Sequence, residues 1–342
     1  MKRIFVAIMA LGALVSCSKD ELVSVNRQAI QFGESFVGNA TRAIDPSHVA
    51  TDINAFQVWG TMTGASHTVN LFAGANVTRG NAANGAAFTC DKTEYWVPDA
   101  AYVFAAVANH DSVTATSGLP ETIAFTYTDG TKDLLYTKAT NNVTTNASAT
   151  PTTGVNTSGI VNFTFDHLLS KLQFKFVNGA TDAKHIFKVK NINIAGLPTE
   201  GTYTVGASTP WAATGDTGTA AFGDASNATT ATATAVDIKK NAPITSNNAR
   251  LVIPHTANLT ITFVKELYYD ANGDGVAADT ELIYSDANKT TGNKYTSLSL
   301  TNQTFAPNGN YVLVATLTSG SQIEFTVEAL KNWATSADVT LQ

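Results

Sequence analysis

Apolar and polar residues alternate with a period of two in short segments along most of the chain, which predicts half-buried β-strands. Phe56 and Val58 alternate with Gln57 and Trp59, and Tyr102, Phe104 and Ala106 with Val103 and Ala105. Leu172, Phe174 and Phe176 share one face while Lys171, Gln173 and Lys175 share the other. The same rhythm returns at Leu259, Ile261 and Phe263, and at Ile323, Phe325 and Val327. Between Phe187 and Ile194 the phase slips at Asn191, as a bulge or tight bend would require. Beyond the first residues no stretch carries an apolar stripe of period 3.6, and Asp166–Leu169 offers one helical turn at most. The pattern predicts an all-β chain of two antiparallel sandwiches.

Two low-complexity stretches interrupt it. Thr137–Gly159 is mostly Thr, Asn, Ala and Ser, and Ala212–Val236 mostly Thr, Ala and Gly. Both read as long exposed loops with too little apolar surface to pack. The first ends just before Ile160–Phe165, which places a domain boundary near residue 165.

The N-terminus departs from the pattern. Met1-Lys2-Arg3 is basic, Ile4–Val15 is apolar but too short to span a bilayer, and Ser16-Cys17 closes the run. This resembles the lipobox of bacterial lipoproteins, in which the cysteine is acylated and becomes the new N-terminus. Residues 1–17 are therefore expected to be a signal peptide closed by the lipidated Cys17. Acylation ties the chain to a membrane at about 0.8 kcal/mol per buried CH₂. Ser18-Lys19-Asp20-Glu21 reads either as a surface-export tag of Bacteroides-type lipoproteins or as a polar spacer.

Composition narrows the function classes. A net charge of −6 over 342 residues and the lack of a basic patch argue against nucleic acid. Of two cysteines, acylation of Cys17 leaves Cys90 alone, so the fold must hold by its core. Six scattered histidines show no metal-ligand spacing, and no nucleophile elbow or catalytic acid pair stands out, so no enzyme is expected. His167 reads as a packing or hydrogen-bonding residue, and Cys90 as an inert thiol. Trp59, Trp96, Trp211 and Trp333 are spread at strand ends and read as packing residues rather than a sugar platform.

One constellation has cofactor chemistry. Asp270, Asn272, Asp274, the Val276 carbonyl and Glu281 stand in the register of a calcium loop, with Gly275 at the turn position. The flanks read as strands, so this would be a structural Ca²⁺ loop at a hairpin tip. The competing reading is a plain Asn-Gly turn, and no cofactor is required for function.

Four landmarks recur in order. Ala29-Ile30-Gln31-Phe32 precedes Thr41-Arg42-Ala43, then the strand Phe56–Gly60. Phe163–Leu172 opens the second half, Asn308–Val314 precedes Ile323–Val327, and Trp333 follows. This order resembles the fimbrillin family, the subunits of type V pili of Bacteroides-type bacteria. The resemblance implies two transthyretin-like sandwiches in tandem, at 43–165 and 166–342, on the outer membrane surface. It also implies an arginine-specific surface protease cutting between Arg42 and Ala43, so that segment 18–42, with its strand, is removed. Arg27 and Arg79 are competing sites. The emptied groove would take a strand from the next subunit, polymerising this chain with itself and with other pilus subunits. Val339 and Leu341 in the tail alternate as a donor's plugs would, or else pair within their own domain. Both a processing site and a strand-like tail fit a stalk subunit better than a tip, serving adhesion to a host or bacterial receptor. The rival is a monomeric, anchored lipoprotein that binds glycans.

Overall fold

The computed structural model describes residues 28–37, 53–79, 88–128, 130, 132–138, 143–153, 155, 158–226, 234–245, 249–319 and 323–330. Cys17, Arg42, Ala43, Trp333, Val339 and Leu341 lie outside them. The chain is all-β. In the first half the strands are β1 (Gln31–Val37), β2 (Ala55–Thr63), β3 (Thr68–Arg79), β4 (Phe88–Cys90) and β5 (Ala101–Ala108). They continue with β6 (Ser112–Thr114), β7 (Thr122–Thr126), β8 (Leu135–Lys138), β9 (Val143–Thr144) and β10 (Ile160–His167). The second half has β11 (Ser170–Asn178), β12 (His185–Thr204), β13 (Trp211–Gly223), β14 (Ile244–Thr245) and β15 (Arg250–Val252). It ends with β16 (Thr256–Tyr269), β17 (Leu282–Ser285), β18 (Thr296–Thr304), β19 (Asn310–Leu317) and β20 (Ile323–Leu330).

Three sheets result. The first runs β1-β10-β8-β5-β2-β3-β4, with β9 also on β5, and wraps a core containing Phe56, Phe72, Phe104, Phe163 and Phe165. The second runs β14-β11-β19-β20, with β15 on β11. The third runs β17-β16-β12-β7-β6, with β13 on β12 and β18 on β16. Between the second and third lies a core containing Phe174, Phe176, Phe187, Phe222 and Phe263. A smaller core joins the halves, with Trp59, Val107 and Tyr136 from the first sheet against Ile123, Phe125 and Ile253. β5 is therefore buried on both faces: Tyr102 and Phe104 face one core and Ala105 and Val107 the other. A strand covered on both faces reads as a continuous apolar run, as Ala101–Ala108 does.

Several expectations change. The pairing is not wholly antiparallel, because β1 runs parallel to β10 and β11 parallel to β19. The hairpin β6–β7 comes from the first half but pairs with β12 of the second, Thr126 opposite Glu200 through Thr122 opposite Thr204. No helical turn forms at Asp166–Leu169. β10 runs through His167, and both Leu168 and Leu169 point into the joining core. Neither low-complexity stretch is wholly exposed. Within the first, β9 pairs with β5 and Val143 and Ala149 are buried. Within the second, β13 forms a ribbon with β12, because the β-branched threonines suit a pleated surface and Phe222 anchors it. At Asn191 the register shifts between Lys190 and Asn193, and Asn191 has φ of 53°. Asn tolerates that left-handed conformation at low cost, and Asp224 Oδ1 accepts its N–H at 2.9 Å.

Candidate functional site

The segment 28–37 closes the first sheet. Ile30 and Phe32 are both buried at 4% exposure in its core, with Gln31 between them exposed. On one side β1 pairs with β10, from Gln31 opposite Ile160 to Val37 opposite Phe165. On the other, Ile30 N–H donates to Glu94 O at 2.8 Å and Trp96 N–H to Gln28 O at 3.1 Å. The Gln28 side chain reaches Ser158 O at 2.8 Å. β1 is thus paired along one edge by β10, the residues just before it are bridged to Glu94–Trp96, and two side chains hold the segment from below. Remove it, and β10 loses its partner on that edge and Glu94–Trp96 its bridge, while the core opens between Phe72, Phe104 and Phe163. An apolar groove with unpaired edges must be covered. Arg42 lies ten positions beyond Phe32 in the sequence and outside the described residues, as does Arg27. The competing Arg79 ends β3 with its guanidinium 4.9 Å over the Phe88 ring.

The calcium-register loop connects β16 to β17, with Tyr268 opposite Leu282. Asp270 is almost fully buried, and its carboxylate accepts from Gly273, Asp274 and Gly275 N–H at 2.6, 3.1 and 2.8 Å. Glu281 accepts from Ala271 N–H at 3.0 Å, tying position 12 back to position 2. Asn272 Nδ2 donates to Asp274 Oδ2 at 3.0 Å, and Asp274 Oδ1 accepts from Val276 N–H at 2.7 Å. Gly273 and Gly275 have φ of 78° and 74°, which the two glycines supply without strain. Hydrogen bonds thus close the loop on itself. Among the described residues no group of three or more His, Cys, Asp or Glu is disposed to hold a metal ion.

The remaining candidates are structural. His167 Nδ1 lies 2.5 Å from Asp133 Oδ2 beside the joining core. Burial pushes the Cys90 thiol above its usual range, which lowers its thiolate fraction. Trp96 is fully buried, Trp59 is 5% exposed, and Trp211 Nε1–H donates to Leu168 O at 2.8 Å. The clasp of Gln28 onto the Glu94–Trp96 segment had no signal in the sequence, since its donors and acceptors are backbone groups.

A family model described as fimbrillin-like matches residues 41–333. No curated protein matches the chain. Among solved structures, a fimbrial protein from Bacteroides vulgatus superposes with a TM-score of 0.59 at 14% identity, covering 88% of this chain and 98% of its own. A cell adhesion protein described from Bacteroides uniformis gives 0.45 at 15% identity, covering 90% and 98%. The tip fimbrial protein Mfa3 from Porphyromonas gingivalis gives 0.35 at 10% identity, covering 88% and 99%.

Proposed function

Because the chain belongs to the fimbrillin-like family, we propose that it is a fimbrial subunit polymerised by strand exchange into the groove that β1 fills. The family consists of non-enzymatic structural proteins of cell-surface fimbriae, which associate with other pilus subunits. In this reading the precursor is exported as a lipoprotein acylated at Cys17, with its groove plugged. An arginine-specific surface protease then cuts between Arg42 and Ala43, releasing the lipid together with β1. The mature chain, two sandwich units at 43–165 and 166–342, takes a donor strand in its place. Carrying both a processing site and a strand-like tail with Val339 and Leu341, it belongs in the stalk rather than at the tip.

The observation that carries the proposal is the burial of Ile30 and Phe32 just upstream of Arg42. Burying two such side chains contributes about 3–6 kcal/mol gross. A donor of equal length regains that and the backbone ladder, so dissociation requires a whole strand to withdraw. The rival, a glycan-binding anchored lipoprotein, needs exposed tryptophans, and Trp59 and Trp96 are in the core.

N-terminal sequencing of protein released from the cell surface tests the reading. It should begin at Ala43, and the released protein should form high-mass ladders that vanish in Arg42→Ala. A start at Cys17 would overturn the mechanism.

The Asp270–Glu281 loop enters as a structural Ca²⁺ site, supported by its spacing and by the preset positions of Asp270 and Glu281. Asn272 and Asp274 would have to turn from each other toward the ion. Calcium should then raise the melting temperature of the native chain and not that of Asp274→Ala. Equal melting with Ca²⁺ and with chelator would refute the site.

A further inference from the structure

Resting on the reading that a foreign strand replaces β1, we infer that this groove selects a donor carrying an aromatic residue followed directly by glycine. By the same criterion it discriminates against the segment 337–342. The template is β1 itself. The Phe32 ring is stacked on Phe163 at 5.8 Å and 17°, and meets Phe72 and Phe104 edge-on at 5.3 and 5.8 Å. Those three rings sit on β10, β3 and β5, which all remain after a cut at Arg42. Edge-to-face and offset arrangements suit a planar ring in that place. The walls are borne by a hydrogen-bonded sheet, so an aliphatic plug leaves a void they cannot close.

The next position is a steric filter. A Cβ on Gly33 would lie 2.5 Å from Ile160 Cγ2 and closer still to Asn162 Oδ1. Ile160 is β-branched and has few rotamers to retreat into. The register also slips here. Phe32 opposes Val161 and Ser35 opposes Phe163, three steps on β1 against two on β10. A donor must therefore place an extra residue at a bulge, beginning with a residue that has no side chain.

The chain's own tail, Ala337-Asp338-Val339-Thr340-Leu341-Gln342, holds neither an aromatic nor a glycine. With Leu341 in the Phe32 place, Gln342 meets the filter; with Val339 there, Thr340 does. Neither register of segment 337–342 reproduces the Phe32-Gly33 pair, so this segment is the weaker occupant of the groove.

The test starts from the full chain, cut by an arginine-specific protease and freed of the fragment ending at Arg42. Its binding to labelled peptides is read by fluorescence anisotropy. The probes are Gln28–Val37, the same peptide with Phe32→Leu or with Gly33→Val, and the tail peptide Ala337–Gln342. The native peptide should bind, and each of the other three should bind at least about tenfold more weakly. A chain with Ile160→Ala and Asn162→Ala should recover binding of the Gly33→Val peptide but not of the Phe32→Leu peptide. Equal binding of all four peptides, or a tail peptide as tight as the native one, would overturn the selectivity while leaving strand exchange standing. Failure of the native peptide itself to bind would overturn strand exchange and the selectivity together.

Discussion

Asp286 shows how much a single residue can hold in a β-rich chain. It is fully buried just beyond β17, and four donors converge on its carboxylate. Tyr284 O–H and Lys289 Nζ reach Oδ1 at 2.6 Å each, while Lys265 N–H and Thr296 O–H reach Oδ2 at 2.9 and 2.8 Å. Burial alone would raise its pKa, but the hydrogen bonds from Lys289, Tyr284, Lys265 and Thr296 outweigh burial and hold it below the usual carboxylate range. A depressed folded pKa contributes stability that is complete above the unfolded value of about 4 and is lost as pH falls through the folded one. Asp286→Asn should therefore cost about 1–3 kcal/mol at pH 7, since the amide leaves the buried Lys265 N–H or one of the half-buried donors without an acceptor. It should also flatten the acid limb of the stability curve below about pH 4. Parallel denaturation curves for the two proteins down to pH 2 would refute this role. Nothing in the sequence singled out Asp286, because Lys265 and Thr296 reach it from other strands. Asn191, by contrast, was legible from the slip in phase. Asn191→Gly should be nearly neutral there, while Asn191→Val should cost about 1–3 kcal/mol in chemical denaturation.

At the scale of elements, alternation marked the strands with large apolar residues and missed those made of Thr and Ala. β2, β5, β11, β16 and β20 stand where Phe, Val, Ile and Leu recur every second residue. β13 does not, because among its described side chains Ala220 and Phe222 near its end are buried while Ala212, Ala213, Thr214 and Thr219 are exposed. Composition read it as a loop, whereas the unpaired edge of a twenty-residue β12 made it a strand. The anchor is testable. Phe222 packs edge-on against Phe174 at 4.9 Å, so Phe222→Ala should cost about 3–5 kcal/mol. Thr219→Ala, at an exposed position of the same strand, should stay within about 0.5 kcal/mol.

At the scale of the whole molecule, the two halves share more than a linker. The β6–β7 hairpin extends the third sheet from the first half, and the joining core takes Trp59 and Val107 from one side and Phe125 and Ile253 from the other. Groups that share a core and a sheet lose both together, so the intact chain should unfold in one calorimetric transition. Two resolved transitions would show that the hairpin and joining core are too weak to couple the halves. Removal of β1 acts on this unit as a whole, because Ile30 and Phe32 close the first core rather than decorate its surface. The cut and stripped chain should melt lower and bind a hydrophobic dye, and the native β1 peptide should reverse both.

The sequence by itself determined what local periodicity and local chemistry can carry. Its period-two segments specified an all-β chain, the slip at Asn191 specified a bulge, and the order of landmarks specified the fimbrillin-like family. These are legible because a pleated strand, a left-handed residue and a short motif each write their requirement into neighbouring positions. Only the tertiary structure decided which strands meet. The parallel pairing of β1 with β10, the passage of β6–β7 into the other half's sheet and the ring cage around Phe32 join residues far apart in sequence. Such pairings follow from closing a sheet over a core, which depends on the packing of all strands at once, so no single segment records them.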